Sequence, residues 1–205
     1  MKIYKNLFDK IICPGNLFLA WDKFKLGKSN RLDVLHFEWN LEQNIFNLHK
    51  ELKNQIYKHA LYTDFYIYDP KRRHIHKASV RDRVLHHAVF RILNPIFEET
   101  FIDNSFSCRK GKGTHAGVLM LEKILRKVSK NYKKPCYALK CDIQKFFDSV
   151  DHQILKEVIE RRVKDKDALW LSCEIIDSYA SKNPRERERE SYWSSDRKPY
   201  FPAFC

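Results

Sequence analysis

A chain of 205 residues that is 43% hydrophobic and 14% aromatic can build a packed core, and its length suits one large domain or two small lobes. Its 39 Lys+Arg against 26 Asp+Glu give a formal charge of +13, a field that attracts polyanions, nucleic acid first among them; composition alone leaves open a merely soluble basic surface. The six cysteines (13, 108, 136, 141, 173 and 205) form no CxxC pair and no Cys/His array at zinc spacing, so neither a structural metal site nor a secreted disulfide framework is expected, and reduced thiols in a cytoplasm fit best.

The opening MKIYKNLFDKIICPGNLFLAW holds a short apolar run broken by Pro14-Gly15, with no small-residue cleavage site, so no signal peptide is expected. No apolar stretch approaches the roughly 20 residues of a spanning helix, which excludes a membrane protein. Leu41, Ile45, Leu48, Leu52 and Ile56 recur at helical spacing and predict an amphipathic helix with one buried face. FYIYD (65–69), the turn-like Pro70-Lys71-Arg72-Arg73 and HIHKAS (74–79) predict a β-hairpin with a basic tip. Helical spacing returns over 81–99, with Pro95 expected to kink or end that helix, and Arg83 with Asp82 is expected as an internal ion pair.

The loop IDNSFSCRKGKGTH follows, irregular at Gly111 and Gly113, and Val118, Leu121, Ile124, Leu125 and Val128 predict the next helix. Gly111-Lys112-Gly113 lacks the GxxxxGK[ST] spacing of a phosphate-binding loop. After the lysine-rich turn and Pro135, CYALKCD alternates and predicts a short strand ending at Asp142. Helices are expected around 154–159 and over 168–181, with Asp148, Asp151 and His152 capping or orienting the first of these. From Asn183 the sequence loses any regular period.

Three blocks, HKASVRDRVLHHAV (76–89), IDNSFSCRKGKGTHAGV (102–118) and LKCDIQKFFDSVDHQIL (139–155), resemble in order the N-terminal part of bacterial reverse transcriptases of the group II intron, retron and diversity-generating retroelement type. The likeness covers about residues 1–183 and is most specific in the third block. It implies an α+β fold: an incomplete right-hand polymerase, fingers plus the start of a palm, helix-rich with a basic hairpin and a palm strand. The implied divisions are an N-terminal helical extension (1–60), a fingers-like region (61–135), the start of the palm (136–182) and an aberrant tail (183–205).

The resemblance also assigns roles. Nucleotidyl transfer uses two divalent ions about 3.5–4 Å apart, and hard Mg²⁺ prefers carboxylate and carbonyl oxygens. By resemblance Asp142 is the catalytic carboxylate and a metal ligand, and the Ile143 carbonyl is a neighbouring ligand. Phe147 is the ring under the incoming sugar that selects deoxynucleotides, while Phe146 reads as a core aromatic. Arg73 and Arg109 are the candidates for the dNTP triphosphate, because arginine's fixed fork suits phosphate oxygens. Lys71, Arg72, Lys77, Lys110 and Lys112 would track the backbone of an RNA template and DNA primer.

The sequence departs from that family in two respects: these 205 residues contain no Asp-Asp dipeptide, and hence no Tyr-x-Asp-Asp box, and they lack the thumb helices that grip the duplex, so the polypeptide as it stands is expected to be inactive. Its last residues, YWSSDRKPYFPAFC, can be back-translated with permitted codons that, read one nucleotide later, spell TGLPIGNLTSQLF. That string resembles the next conserved block of the same enzymes, and suggests a frameshifted, truncated product. Two other readings stand beside it: a non-catalytic RNA-binding module, and one half of an enzyme completed by a second polypeptide that carries the missing box.

Overall fold

The structure, a computed structural model, describes residues 2–143 and 146–179, the last including Phe147 and Asp148 without their side chains. In chain order the elements are α1 (Phe8–Ile12), α2 (Pro14–Lys25), α3 (Leu32–Trp39), α4 (Leu41–Lys53), β1 (Thr63–Tyr68), β2 (Arg72–Lys77), α5 (Val80–Glu98), α6 (Thr114–Val128), α7 (Phe146–Ser149), α8 (His152–Arg162) and α9 (Lys166–Ser178). They belong to two compact units, one of Met1–Ile96 with Val150–Lys182, the other of Phe97–Ser149 with Asn183–Cys205. The chain is helix-rich, and the antiparallel pair β1–β2 is the one sheet among the described residues.

The first unit holds the core. Pro14 opens α2, where its missing N–H costs nothing. α2 then buries Leu17, Ala20, Trp21 and Phe24, with the Trp21 ring 5.2 Å from Phe37 of α3. α4 buries Ile45, Leu48 and Leu52, but it ends at Lys53 and Ile56 lies 64% exposed, outside the predicted apolar face. The reason is local: Gln55 adopts φ 54°, and Ile56 N–H bonds back to the Glu51 carbonyl at 3.0 Å, a cap that turns the chain out of the helix. α5 contributes Val84, Leu85, Ala88, Leu93 and Ile96, and runs three residues past Pro95 rather than stopping there.

The N-terminus is tied to a segment more than 150 residues away. The Asp165 side chain caps α9 by accepting from Asp167 and Ala168 N–H at 3.1 Å, while its other oxygen accepts from Leu7 and Phe8 N–H at 2.5 and 2.9 Å. Burial opposes its charge, but these four backbone donors hold the carboxyl below its ordinary range. Tyr4 extends the tie through a parallel bridge to Val163. Asp151 caps α8 as expected, accepting from Gln153 and Ile154 N–H at 2.8 and 3.1 Å.

A buried carboxylate organises the start of α5. Asp82 has no solvent exposure and accepts from Tyr57 Oη at 2.8 Å, Ser79 Oγ at 2.6 Å and Ala60 N–H at 3.1 Å. Desolvation works against its charge, yet those hydrogen bonds and the nearby His59 and Arg81 keep its pKa below normal, while Tyr57 is pushed well up by burial and by Asp82. The expected Arg83–Asp82 pair is therefore corrected: Asp82 pairs with Arg81 at 3.2 Å, and Arg83 reaches Asp33 at 2.7 Å. An arginine adjoins Asp82 on each side, and their further partners decide between them: Arg81 also donates to Glu51 and the Lys58 carbonyl, whereas Arg83 is drawn to Asp33.

In the second unit, α6 forms where its period predicts, and buries none of its residues; Val118, Leu121, Ile124 and Val128 are 41–61% exposed. Gly111 and Gly113 have φ of 74° and 110°, backbone that explains glycine at both places. The predicted strand over 136–142 is not formed: the segment is irregular, with Tyr137 and Leu139 96% and 91% exposed. A strand needs a neighbour for its backbone N–H and C=O groups, and no described residue supplies one here. Phe146, expected in a core, is 51% exposed. The tail from Asn183, and the end of the helix predicted to residue 181, lie outside the described residues.

Asp82→Ala removes a buried acceptor that Tyr57, Ser79 and Ala60 share, and is expected to cost about 3–5 kcal/mol in urea unfolding. His86 provides a pH test. Burial, then the neighbouring His59, depresses its pKa to about 4, below the ~6.5 of an unfolded histidine. Between these values the unfolded chain binds the extra proton, so stability is full above about pH 6.5 and falls as pH drops toward 4. His86→Asn should flatten that fall by on the order of 1–2 kcal/mol between pH 7.5 and 5, read as the difference between variant and parent.

Candidate nucleic-acid interface and the predicted metal carboxylate

The hairpin brings three of the predicted residues together. Pairing runs from Thr63↔Lys77 to Tyr68↔Arg72, leaving Asp69, Pro70 and Lys71 as the connecting loop. Lys71, Arg72 and Arg73 are all exposed at this tip. Alternation sorts the strands into two faces. One carries Asp64, Tyr66, Tyr68, Arg72, His74 and His76; the other carries Phe65, Ile67, Arg73, Ile75 and Lys77.

Aromatic surface is interleaved with the charge. Tyr66 and Tyr68 are 47% and 71% exposed, and the Arg72 guanidinium lies 4.2 Å above the Tyr66 ring. Cations that meet phosphate beside rings that accept a stacked base are the two components of single-strand binding. At the hairpin's base, Arg31, Tyr62, Phe65, Ile75, Arg83 and His86 help line a shallow basic cleft that the sequence did not reveal, because its walls come from four separate segments. Lys77 also lies on this cleft, with its Nζ 2.8 Å from Asp33. Lys77 and Arg83 hold the Asp33 carboxyl low against a burial effect in the other direction.

The remaining predicted residues belong to the second unit. Arg109 is 9% exposed in its side chain and committed to its own loop: its Nε donates to Glu98 at 2.6 Å and its Nη1 to the Ile102 and Ser105 carbonyls at 2.8 and 3.0 Å. Lys112 bonds the Asp103 carbonyl and lies 5.4 Å from the Phe106 ring, while Lys110 is exposed. Phe106 packs where a Cβ on Gly117 would meet it at 3.4 Å, so that glycine admits the loop against α6. Asp142 and Ile143 are exposed on irregular backbone, and the Phe147 side chain lies outside the described residues.

Mg²⁺ requires several oxygen donors converging at close range. Asp142 belongs to no group of three or more His, Cys, Asp or Glu ligand atoms among the described residues, so the residues described there do not by themselves fit that ion. Among the described residues the one such group lies on the hairpin: Asp64, His74 and His76, with ligand atoms all within 4.8 Å of one another. The sequence carried a signal for it, an H-x-H alternation that puts both imidazoles on one strand face. The third member appears only once the strand register is known.

Comparison with known proteins agrees with this arrangement of blocks. Residues 58–194 match the sequence model of the family described as reverse transcriptase (RNA-dependent DNA polymerase). The chain is 29% identical over 91 residues to the mitochondrial nuclear intron maturase 1 of Arabidopsis thaliana, covering 44% of this chain and 12% of that protein. It is 24% identical over 98 residues to protein YkfC of Escherichia coli strain K12, covering 48% of this chain and 25% of that one. The aligned stretches thus span a quarter or less of those relatives. The hairpin, the buried Asp82, the Arg109 loop and Asp142 all fall inside the family match, which takes in well over half of the residues, and on that ground the chain belongs to the reverse transcriptase (RNA-dependent DNA polymerase) family.

Proposed function

We propose that this chain is the fingers and first palm segment of a bacterial-type, retroelement-related reverse transcriptase and that it binds an RNA template paired with a DNA primer through the β1–β2 hairpin. The observation that carries the reading is the tip itself, where Lys71, Arg72 and Arg73 stand exposed beside Tyr66 and Tyr68. Phosphate neutralisation by these cations is sequence-independent, and stacking on the exposed Tyr68 ring tolerates any base, which suits an enzyme that must copy every template. The likeness to a protein named an intron maturase supports RNA as the strand bound.

Within this reading Arg73 remains the candidate for a dNTP phosphate on the hairpin. Arg109 acts chiefly by positioning: its bonds to Glu98, Ile102 and Ser105 hold the loop that presents Lys110 and Lys112. Asp142, with the Ile143 carbonyl, would supply part of a metal site and Phe147 the sugar-selecting ring, once the rest of a palm is present. The 205 residues contain no Asp-Asp pair, so the polypeptide alone binds nucleic acid without extending it. A segment bearing Tyr-x-Asp-Asp, encoded in the shifted reading frame or carried by a second polypeptide, would complete it.

RNA affinity of the chain is expected to fall steeply between ~50 and ~200 mM salt, and replacing Lys71, Arg72 and Arg73 together by Ala should weaken it at least tenfold while flattening the salt slope by about 2. A slope unchanged in the triple variant would move the binding surface elsewhere. Primer extension tests the catalytic half. The pure chain should leave oligo(dT) on poly(rA) unextended with Mg²⁺ or Mn²⁺. Adding a polypeptide that carries the Tyr-x-Asp-Asp block and thumb should restore extension, and Asp142→Asn should abolish it again; extension by the chain alone would defeat this account.

A further inference from the structure

We propose that Asp64, His74 and His76 form a three-ligand site for a divalent transition ion of the Zn²⁺ type, fixed across the two strands of the hairpin. The register puts Asp64 directly opposite His76, and His74 two residues along β2 on the same face. His76 Nδ1 donates to Asp64 Oδ1 at 2.6 Å, and His74 Nε2 lies 4.0 Å from Asp64 Oδ2. The two imidazole centroids are 4.3 Å apart.

Zinc bonds of about 2.0–2.2 Å in a tetrahedral arrangement separate neighbouring ligand atoms by about 3.3 Å. The observed 2.6 and 4.0 Å separations straddle that value, so modest rotation of the rings is enough to admit an ion. The ring planes are already held: Tyr66 stacks on His74 at 4.6 Å and 15°, and Tyr179 meets His76 edge-on at 5.6 Å. On binding, neutral His76 keeps its proton but carries it on Nε2, which frees Nδ1 to ligate, and the carboxylate exchanges its hydrogen bond for a metal bond.

The donor set also chooses the ion. Two imidazole nitrogens and one carboxylate suit Zn²⁺ or its transition-metal neighbours, whereas Mg²⁺ wants oxygen throughout. This site is therefore separate in chemistry from any polymerase metal centre, and its fate does not depend on the nucleic-acid reading. Three protein ligands leave a fourth position for water. The site's effect is to staple β1 to β2, and a two-stranded ribbon gains from a cross-strand link because it is marginally stable by itself.

The test uses the full chain with its thiols reduced, titrated with Zn²⁺ while the histidine side-chain ¹⁵N resonances are followed. One equivalent should shift the His74 and His76 signals and leave His36 and His115 in place. His76→Gln and Asp64→Asn should each weaken Zn²⁺ binding at least tenfold, and His36→Gln should leave it unchanged. Zinc taken up with the His74 and His76 signals unmoved, as thiolate binding would give, overturns the proposal. So does an affinity unaltered in the His74→Gln, His76→Gln double variant. If a hairpin variant loses its fold, the resonance titration of the parent chain decides alone.

Discussion

The hairpin can function as a rigid projection only if both of its ends are fixed, and one buried carboxylate fixes them. Asp82 accepts from Ala60 N–H, three residues before β1 begins, and from Ser79 Oγ, two residues after β2 ends. Tyr57 and Arg81 close the remaining positions around it. A buried charge is tolerated only when its hydrogen-bonding capacity is met, and here the donors come from the two segments that flank the hairpin, both of which must be in place. The same group thus makes formation of α5's first turn and rooting of the hairpin into one event. The RDRV motif earns its aspartate in this way, by structure rather than by contact with substrate.

A count of basic residues cannot distinguish those that hold the protein together from those that face a ligand. Arg81 is engaged with Glu51 and Asp82, Arg83 and Lys77 share Asp33, and Arg109 holds Glu98. Each of these charges is already balanced by a carboxylate, so bringing phosphate to it would sacrifice an existing interaction. At the hairpin tip the partners are different in kind. Arg72 lies on an aromatic face, which orients a guanidinium without neutralising it. That contrast, more than net charge, is the ground for proposing residues 71–73 as the interface.

Local patterns were legible in the sequence, and tertiary ones were not. The helices around Leu48, Leu85 and Ile124, the hairpin with its basic turn, and the Asp151 cap all follow from spacing or residue type within a few positions. Ile56 misled because periodicity cannot see the cap at Gln55 that ends the helix first. Asp82 and Arg83 misled because Asp82 has an arginine on each side, and the sequence does not say which of them the carboxylate takes. The metal-ligand trio was half visible, as H-x-H, and half hidden in a cross-strand register that depends on the length of the turn.

The segment 136–143 shows where such reading stops. Alternation of Cys136, Ala138 and Lys140 with Tyr137, Leu139 and Cys141 describes what a strand would look like after it is paired, since β preference is largely the packing of side chains on neighbouring strands. Without that pairing among the described residues, Tyr137 and Leu139 stand almost wholly exposed and Asp142 is carried on irregular backbone. A carboxylate becomes a metal ligand when other donors converge on the same point, and convergence depends on the strand being held. The aspartate's chemistry is written in the motif, while its geometry belongs to whatever pairs with the backbone beside it.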